Sequence, residues 1–408
     1  MKILIISQYF WPESFKINDI AEYLGKCGHE VEVLTGIPNY PEGKYYKGYG
    51  VFKRRREEYK GIKIKRVLLL PRGKGQSDKR LIPNYISYVV NGCISVFGMR
   101  RTHYDAALVF EVSPITQAYP AIFLKKLAKT PICMYIYDLW PDTLFSHGFS
   151  NSGIKRFLLK RCKNIYNSFD KLFITSKGFE QRLIEYGYKS ENIEYIPQWV
   201  ESRYKPVDAT NKVRERFAIK ATDFMVMFAG NLGFAQAVDI IVKAAECLKQ
   251  NESIKFVFVG DGTEKQWCKD ECGNKGINNC LFMERQSADD MPGILAEADS
   301  LLVTLKDRSN YSLTLPGRLQ SFMACRKPLI VCANGETARV VEEARAGLTC
   351  PAEDADKLSE CISKMAAMSK EELNIFGENG YRYACHNFDE STLLKKIEEE
   401  LQSVMYTG

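Results

Sequence analysis

Two glycine-containing turns in the second half of the chain could bind a phosphate. The first follows the unbroken apolar run Phe224–Ala229, which predicts a buried parallel strand, and precedes apolar residues that recur at helical spacing over 238–245. Strand, glycine turn and helix in this order present backbone N–H groups and a positive helix end to an anion. The residues that could contact such an anion are Gly230, Asn231, Gly233 and Gln236, with Gly260 and Asp261 in the second turn. An ordinary βα connection without a ligand is the alternative that this stretch leaves open.

Carboxylates form a second candidate set, in the first half of the chain. Asp138 comes directly after a predicted strand over 132–137, and Trp140 and Asp142 follow it. Carboxylates at the carboxyl end of an α/β strand lie on the ligand side of the sheet, so we expect this group to face a substrate. Asp142 has an alternative role as a helix cap, whereas Asp138 has no such local role. We expect Glu13, in the loop after the first strand, at the same edge of the sheet.

Cysteine and histidine usage predicts no metal centre. The 13 Cys include no CxxC pair or Cys/His cluster at zinc spacing, and only four His are present. The odd number of Cys and their positions inside apolar runs indicate reduced thiols in a cytosolic protein. The first residues, MKILII, read as a strand rather than a signal peptide, and no run reaches the length of a clean membrane span.

Charge is distributed unevenly along the chain. Residues 1–205 contain 33 Lys and Arg against 19 Asp and Glu, a net charge of +14, and the remainder has 24 against 31, a net charge of −7. This asymmetry indicates an anionic partner for the first half, either nucleic acid or a membrane surface.

The basic residues concentrate between 44 and 80, where 14 Lys and Arg stand against three acidic residues. Arg54, Arg55 and Arg56 form their densest run, among several tyrosines in a predicted loop over 36–60. A predicted helix over 78–101 follows, with a broad apolar surface and cations at both ends. It is either a core helix beside a solvated basic face or a surface that docks on anionic lipid.

Apolar runs and amphipathic segments alternate throughout the 408 residues, which predicts an α/β fold with two domains. The best linker is residues 197–206, PQWVESRYKP, where the charge changes sign. We place the domains at 1–200 and 201–388, with five strands in the second, and an amphipathic helix over 390–406 in the last segment, 389–408. Two such domains facing each other would place the first glycine turn in the cleft between them.

Seven segments together resemble bacterial glycosyltransferases of the GT-B fold. In chain order they are SQYFWPES, DLWPD, IPQWVESRYKP, GNLGFAQAVD, ADSLLVTLKD, TLPGRLQSFMACRKPLIV and NGETARVVEEARAGLTCPAEDADKLSECI. Within that fold they are most similar to the retaining family four, in the group of colanic-acid and L-fucosamine transferases. The resemblance implies two Rossmann-like domains, the first binding the acceptor and the second a nucleotide-sugar, a last helix that crosses back to the first domain, and catalysis without a metal.

The chain departs from this family at its donor contacts. The Arg and Lys that clamp the donor diphosphate in the broader family are Asn231 and Gln236 here, and its two Glu, eight residues apart, are Leu313 and Ser321. We therefore expect Arg318 to replace the missing cation. Other residues expected at the donor are Arg285, a second candidate cation, Leu315, which lies beside Arg318 in LPGRL, and Glu336 for the ribose.

The resemblance implies a retaining transferase that needs no cofactor, with Asp138 and Arg318 as its catalytic residues. Its donor would be a nucleotide-sugar, UDP-linked, such as an N-acetyl-6-deoxyhexosamine, and its acceptor a polyprenyl-diphosphate-linked saccharide of a bacterial surface polysaccharide. Such an enzyme would be cytoplasmic and peripheral on the inner face of the membrane. Two alternatives remain at this point. A GT-B-like epimerase of UDP-sugars would need more acid/base side chains, and a nucleic-acid-binding protein fits the acidic second domain poorly.

Overall fold

A computed structural model describes residues 1–73, 78–146 and 151–405. The chain forms two compact units. Unit 1 comprises Met1–Ile196 together with the C-terminal segment that begins at Ser391, and unit 2 comprises Pro197–Glu390. Lys74 of the basic stretch and Tyr406 of the predicted last helix lie outside the described residues.

The core of unit 1 is an eight-stranded sheet in the order β3-β4-β2-β1-β5-β6-β7-β8, parallel except for β3. Its strands are β1 Lys2–Ile6, β2 Glu30–Gly36, β3 Arg56–Tyr59, β4 Ile62–Val67, β5 Ala106–Glu111, β6 Ile132–Ile136, β7 Lys171–Ile174 and β8 Ile193–Tyr195. All residues of β5 and β6 are buried, as the continuous apolar runs predict for strands covered on both faces.

Helices connect these strands and cover both faces of the sheet. They are α1 Ile17–Lys26, α2 Asp78–Met99, α3 Tyr119–Ala128, α4 Asp142–Ser146, α5 Ser152–Tyr166 and α6 Gly178–Glu185. In α1 the apolar stripe Ile17, Ile20, Ala21 and Leu24 is buried, and Gly28, at φ 84°, follows the end of the helix.

The core of unit 2 is a six-stranded, wholly parallel sheet in the order β11-β10-β9-β12-β13-β14. Its strands are β9 Phe224–Ala229, β10 Ile254–Val259, β11 Cys280–Met283, β12 Ser300–Thr304, β13 Leu329–Cys332 and β14 Gly347–Cys350. Its helices are α7 Lys212–Arg216, α8 Val238–Cys247, α9 Lys265–Asn274, α10 Met291–Ala296, α11 Ser309–Leu313, α12 Gly317–Ala324, α13 Glu336–Ala344, α14 Ala355–Ala366 and α15 Lys370–Asn387.

The last helix, α16 Glu390–Ser403, packs on unit 1. Glu398 contacts Nε2 of His29 at 2.7 Å, and Lys396 pairs with Glu194 at 2.5 Å. These contacts join residues far apart in sequence and bring the end of the chain back to its first unit.

The structure contains two strands, β3 and β14, that the sequence does not predict. Residues 36–60 are not all loop, because β3 forms an antiparallel edge hairpin with β4. Unit 2 has a sixth strand, β14, where five are predicted. β14 is only four residues long, contains Gly347 and Thr349, and lies at the edge of the sheet, so its apolar signal is weak. Gly347 is required there, since a Cβ would lie 1.8 Å from the carbonyl oxygen of Leu329.

Candidate functional site

The glycine turns of unit 2 lie together because their strands, β9 and β10, are parallel neighbours that end at the same edge. Leu232 N donates to Asp261 O at 2.9 Å. A Cβ on Gly260 would lie 2.0 Å from Gly230 O, and one on Gly262 would lie 2.3 Å from Leu232 O. These glycines therefore allow one loop to pack against the other.

The backbone amides of the first turn have different roles. Gly230 N donates to Val259 O at 2.9 Å and continues the sheet ladder, so it is not the free phosphate donor that the sequence predicts. Within the described ranges, the amides of Asn231 and Gly233 donate to no protein group. They are the donors that this turn offers to a ligand.

Arg318, at the start of α12, is a cation without a carboxylate partner among the described residues. Its Cζ lies 5.2 Å from the ring centroid of Phe228, and its Nη1 is enclosed and makes no hydrogen bond within that part of the chain. Burial lowers the pKa of Arg318 to about 10, so the guanidinium remains charged at neutral pH. Enclosing a charge without a partner is unfavourable, and such groups concentrate at functional sites.

Arg318 borders the glycine turn. A Cβ on Gly230 would lie 3.4 Å from Cζ of Arg318. When the Gln236 amide is oriented by its hydrogen bonds, its nitrogen donates to Gly233 O at 3.2 Å and its oxygen accepts from Nη2 of Arg318 at 3.3 Å. The side chain of Asn231 lies beside the same amide, 3.4 Å away. The structure thus brings together Gly230, Asn231, Gly233, Gln236 and Arg318.

The remaining predicted donor residues lie around this group or apart from it. Glu336 is buried at the start of α13 and accepts two hydrogen bonds from Arg339, at 2.7 and 2.9 Å. The next residue, Thr337, donates to Thr314 O at 3.1 Å, which ties α13 to the segment before Arg318. Leu315 is buried in the apolar core.

Asp261 and Arg285 do not join the Arg318 cluster in the part of the chain that is described. The carboxylate of Asp261 is exposed and accepts from the amide of Gly262 at 2.9 Å. Arg285 is exposed in the loop after β11, which is the edge strand two positions from β9.

The sequence analysis does not identify two lysines near this edge of the sheet in unit 2. Lys265 is buried, and its Nζ donates to Gly260 O at 2.9 Å and to Glu284 at 2.6 Å. Lys306, after β12, pairs with Asp239 at 2.8 Å and with Glu353 at 3.0 Å. Both lysines therefore pair with carboxylates, whereas Arg318 has no carboxylate partner among the described residues. Lys265 could have been identified from the sequence by its position, four residues after Asp261 in the second glycine turn.

In unit 1, Asp138 lies just after β6 and contacts the loop after β5. Ser113 Oγ donates to Oδ2 of Asp138 at 2.8 Å, and Nε1 of Trp140 donates to Ser113 Oγ at 3.0 Å. The predicted pair Asp138 and Trp140 is therefore linked through a serine that the sequence analysis does not single out. This arrangement fixes one carboxylate oxygen at the carboxyl edge of the sheet.

Sequence reasoning also misses Glu111, which ends β5 and is fully buried. Neither of its carboxylate oxygens has a hydrogen-bond partner in the described ranges. Burial, followed by the charge of Asp138, raises the pKa of Glu111 well above its usual range. Burial therefore disfavours the charged form of this carboxyl group. The only sequence signal is a charged residue closing the apolar run ALVF.

Asp142 and Glu13 are buried and already have partners. Asp142 accepts from Nε and Nη2 of Arg182 at 3.0 and 2.9 Å and from the hydroxyl of Tyr186. Both of its oxygens serve this internal network. Oε1 of Glu13 accepts from the amides of Asn39 and Tyr40 at 2.8 and 2.7 Å, and burial raises the pKa of Glu13 to about 7.

The predicted membrane residues differ in exposure. Arg54 and Arg56 are exposed, whereas Arg55 is half-buried and donates to the carbonyls of Arg66 and Val51 at 2.7 and 2.9 Å. Arg55 therefore holds the hairpin, and its charge is less available to a surface than those of its neighbours.

The helix α2 bears on the expectation that no run reaches the length of a clean membrane span. By length and composition alone, Arg80–Met99 qualifies as one candidate span, and less than a quarter of it is buried. One face, with Asn84, Tyr88 and Val96, is buried in unit 1. The opposite face exposes a row of large apolar side chains: Ile82, Ile86, Val90, Ile94 and Phe97.

No group of three or more His, Cys, Asp or Glu in the described ranges could hold a metal ion.

Comparisons with known proteins match both units. Residues 16–199 match the glycosyl transferase 4-like domain, and residues 209–383 match glycosyl transferases group 1. The colanic acid biosynthesis glycosyl transferase WcaI of Escherichia coli is 26% identical over 349 residues, which cover 83% of this chain and 84% of WcaI.

Solved structures share the fold over the whole chain. HepE of Anabaena, in complex with UDP, has a TM-score of 0.74 at 18% identity and covers 99% of this chain and 100% of its own. Sucrose-phosphate synthase from Thermosynechococcus elongatus has a TM-score of 0.78 at 14% identity, with 100% of each chain covered. This chain therefore belongs to the GT-B glycosyltransferases, with two Rossmann-like domains and homology to a transferase of colanic acid biosynthesis.

Proposed function

We propose that unit 2 binds a nucleotide-sugar with its diphosphate at Arg318. The observation that carries this proposal is a guanidinium that is enclosed and lacks a carboxylate partner in the described part of the chain. A diphosphate would supply the missing counter-charge, and the amides of Asn231 and Gly233 would add hydrogen bonds. UDP is the nucleotide we favour, because HepE, which shares the fold, is described in complex with UDP.

We propose that Arg318 also stabilises the leaving group. The bond between the anomeric carbon and the β-phosphate oxygen breaks, and a bond from the acceptor hydroxyl forms on the same face of the sugar. The leaving diphosphate gains negative charge, which Arg318 and the turn amides offset without a metal or other cofactor. The hydroxyl proton passes to the leaving phosphate oxygen.

We propose that the acceptor binds unit 1 at the edge that carries Asp138. Ser113, which itself accepts from Trp140, fixes one oxygen of this carboxylate. A carboxylate can accept several hydrogen bonds, and we propose that one of them comes from the acceptor hydroxyl. Asp138 would then orient the hydroxyl in the transition state.

We propose a lipid-linked saccharide acceptor and a peripheral location on the inner face of the membrane. The exposed apolar row of α2 and the exposed Arg54 and Arg56 support this, because both features favour an anionic bilayer surface. The homology to a colanic acid transferase supports a role in bacterial surface polysaccharide. The sugar we favour is an N-acetyl-6-deoxyhexosamine.

A panel of nucleotides tests the donor proposal. UDP, GDP, ADP and dTDP are added to the whole protein, and the thermal unfolding midpoint is recorded. A ligand at 100 times its Kd stabilises the folded state by about 2.7 kcal/mol, so UDP should raise the midpoint clearly. Stabilisation by another nucleoside diphosphate would correct the base, and no stabilisation by any of the four would contradict the proposed donor site.

A further inference from the structure

Three loops at the carboxyl edge of the sheet in unit 1 enclose a second guanidinium, that of Arg72. These loops follow β1, β2 and β4, which are parallel neighbours. Cζ of Arg72 lies 5.8 Å from the ring centroid of Tyr9 and 5.3 Å from that of Tyr40. Phe15 stacks on Tyr9 at 5.0 Å and contacts Tyr40 at 5.5 Å. The cation thus lies against a cluster of three aromatic rings.

A network around Glu13 holds this cluster in place. Oε1 of Glu13 accepts from the amides of Asn39 and Tyr40, and Oδ1 of Asn39 accepts from the amide of Arg72 at 3.2 Å. Gly73 N donates to Gly43 O at 2.8 Å, so the loops after β2 and β4 are joined directly. A guanidinium on loops fixed in this way loses little conformational freedom on binding a ligand.

Most N–H donors of the Arg72 guanidinium make no hydrogen bond to the residues that the structure describes. Nη1 donates to the hydroxyl of Tyr9, and no ion pair with a carboxylate forms in the described ranges. Arg66, on β4, differs because its guanidinium is buried and pairs with Glu57. A guanidinium has five N–H donors, and two of them can bind a phosphate side by side. Arg72 is half-buried, so a ligand can reach it.

Two buried oxygens beside the aromatic cluster give independent support for a ligand there. Oε2 of Glu13 and Oε1 of Gln8 are enclosed without a hydrogen-bond partner among the residues described. Nε2 of Gln8 donates to the hydroxyl of Tyr9 at 3.2 Å, which places this side chain beside the aromatic cluster. Buried acceptors of this kind suit hydroxyl groups or water that accompany a polar ligand.

We propose that Arg72 binds a phosphate group of the acceptor, with the aromatic rings Tyr9 and Tyr40 beside it. This rests on the proposed function, in which the acceptor is a saccharide attached through phosphate. The same chemistry also occurs in the head group of a phospholipid, so the test includes both sources. The site lies on unit 1, whereas the donor diphosphate is assigned to Arg318 on unit 2.

The test measures binding of inorganic pyrophosphate to the whole protein in saturating UDP, which occupies the donor site. The variants are Arg72→Gln, Arg72→Lys, which keeps the charge but loses the two-pronged geometry, and Arg156→Gln as a control at an exposed arginine on the same unit. We expect roughly tenfold or greater loss of pyrophosphate affinity for Arg72→Gln, a smaller loss for Arg72→Lys, and no change for Arg156→Gln. The thermal midpoint without ligand shows that each variant folds.

A second arm measures binding of the same variants to vesicles of phosphatidylglycerol. Unchanged pyrophosphate affinity in Arg72→Gln would overturn the proposal, and weaker vesicle binding together with that result would assign Arg72 to a lipid head group. UDP binding reports separately on the donor site. If UDP does not bind, the proposed donor site fails, while the difference in pyrophosphate affinity between wild type and Arg72→Gln still decides the role of Arg72.

Discussion

At the scale of single residues, the cations at the sheet edges divide by whether a carboxylate neutralises them. Lys265, Lys306 and Arg182 each have a carboxylate partner. Arg318 has none in the part of the chain that the structure describes. A cation that is paired with a carboxylate holds two segments of the chain together. A cation without such a partner, such as Arg318, is available to pair with an anionic ligand.

The role of Asp138 can be separated from donor binding. We expect Asp138→Asn to lower kcat by about 100-fold or more and to leave UDP affinity unchanged, because its carboxylate lies at the edge of unit 1 where we propose that the acceptor binds. The matched control is Asp142→Asn, which removes the charge that pairs with Arg182 and should lower the thermal midpoint. A change in UDP affinity alone, with normal kcat, would move Asp138 to the donor site.

Glu13 should make stability depend on pH. Its folded pKa of about 7 lies above the ordinary value of about 4.3 for an unfolded chain. As pH rises between these values, the unfolded chain releases the proton while the folded protein retains it, so folding becomes less favourable. The loss of stability amounts to roughly 4 kcal/mol and is complete about one pH unit above the folded pKa.

Glu13→Gln removes this titration, and its Oε1 can still accept from the amides of Asn39 and Tyr40. We therefore expect the stability of wild type, measured relative to Glu13→Gln by urea unfolding, to fall between pH 5 and pH 8. An equal difference between the two proteins at both pH values would show that Glu13 titrates normally.

Single residues also show where sequence reasoning succeeds and where it ends. The loss of charge at Asn231 and Gln236 predicts a compensating cation, and Arg318 does lie against this turn. Ser113, Glu111 and Arg72 are not predicted, because their importance comes from contacts with residues on other strands. Neighbouring residues in the sequence do not show which distant side chains a residue contacts. They also do not show whether a charged side chain forms an ion pair.

At the scale of elements, the parallel order of strands explains why distant segments meet. The apolar runs predict most strands of both sheets, and their parallel arrangement brings the loops after β9 and β10 into contact. Edge strands carry a weaker signal, which is why β3 and β14 are missed. Periodicity predicts that α2 has an apolar surface, but only the packed structure shows which face is covered by the sheet and which is exposed.

The exposed face of α2 makes a prediction about membrane binding. We expect the double variant Ile86→Ser with Ile94→Ser to bind anionic vesicles roughly 30-fold more weakly, since partial insertion of each Ile contributes about 1 kcal/mol. Both side chains are more than half exposed, so the fold should be retained. Ile375→Ser, an equally exposed change on unit 2, is the control.

Co-sedimentation at low and high salt measures this binding. Arg54→Glu with Arg56→Glu should also weaken it, most strongly at low salt. Equal sedimentation of wild type and the α2 variant, or equal binding to neutral and anionic vesicles, would leave α2 without a membrane role.

At the scale of the whole molecule, two Rossmann-like units separate the proposed tasks. Residues 1–205 have a net charge of +14 and the remainder −7, so an anionic surface attracts the first part and repels the second. The acceptor candidates Asp138 and Arg72 belong to unit 1, and the donor candidate Arg318 belongs to unit 2. This division predicts that changes in one unit affect the binding of one substrate.

The affinity of Arg318→Gln for UDP, measured by titration calorimetry, tests the central claim most directly. A hydrogen bond to a charged group contributes about 1.5–3 kcal/mol to binding, so we expect UDP affinity to fall by about 100-fold. Transfer should be nearly lost, because Arg318 would also offset the charge that develops on the leaving group. The thermal midpoint without ligand should be unchanged or higher, because the variant removes an enclosed charge. Arg285→Gln, at an exposed arginine on the same unit, should retain UDP affinity within about threefold. Wild-type UDP affinity in Arg318→Gln would contradict the account.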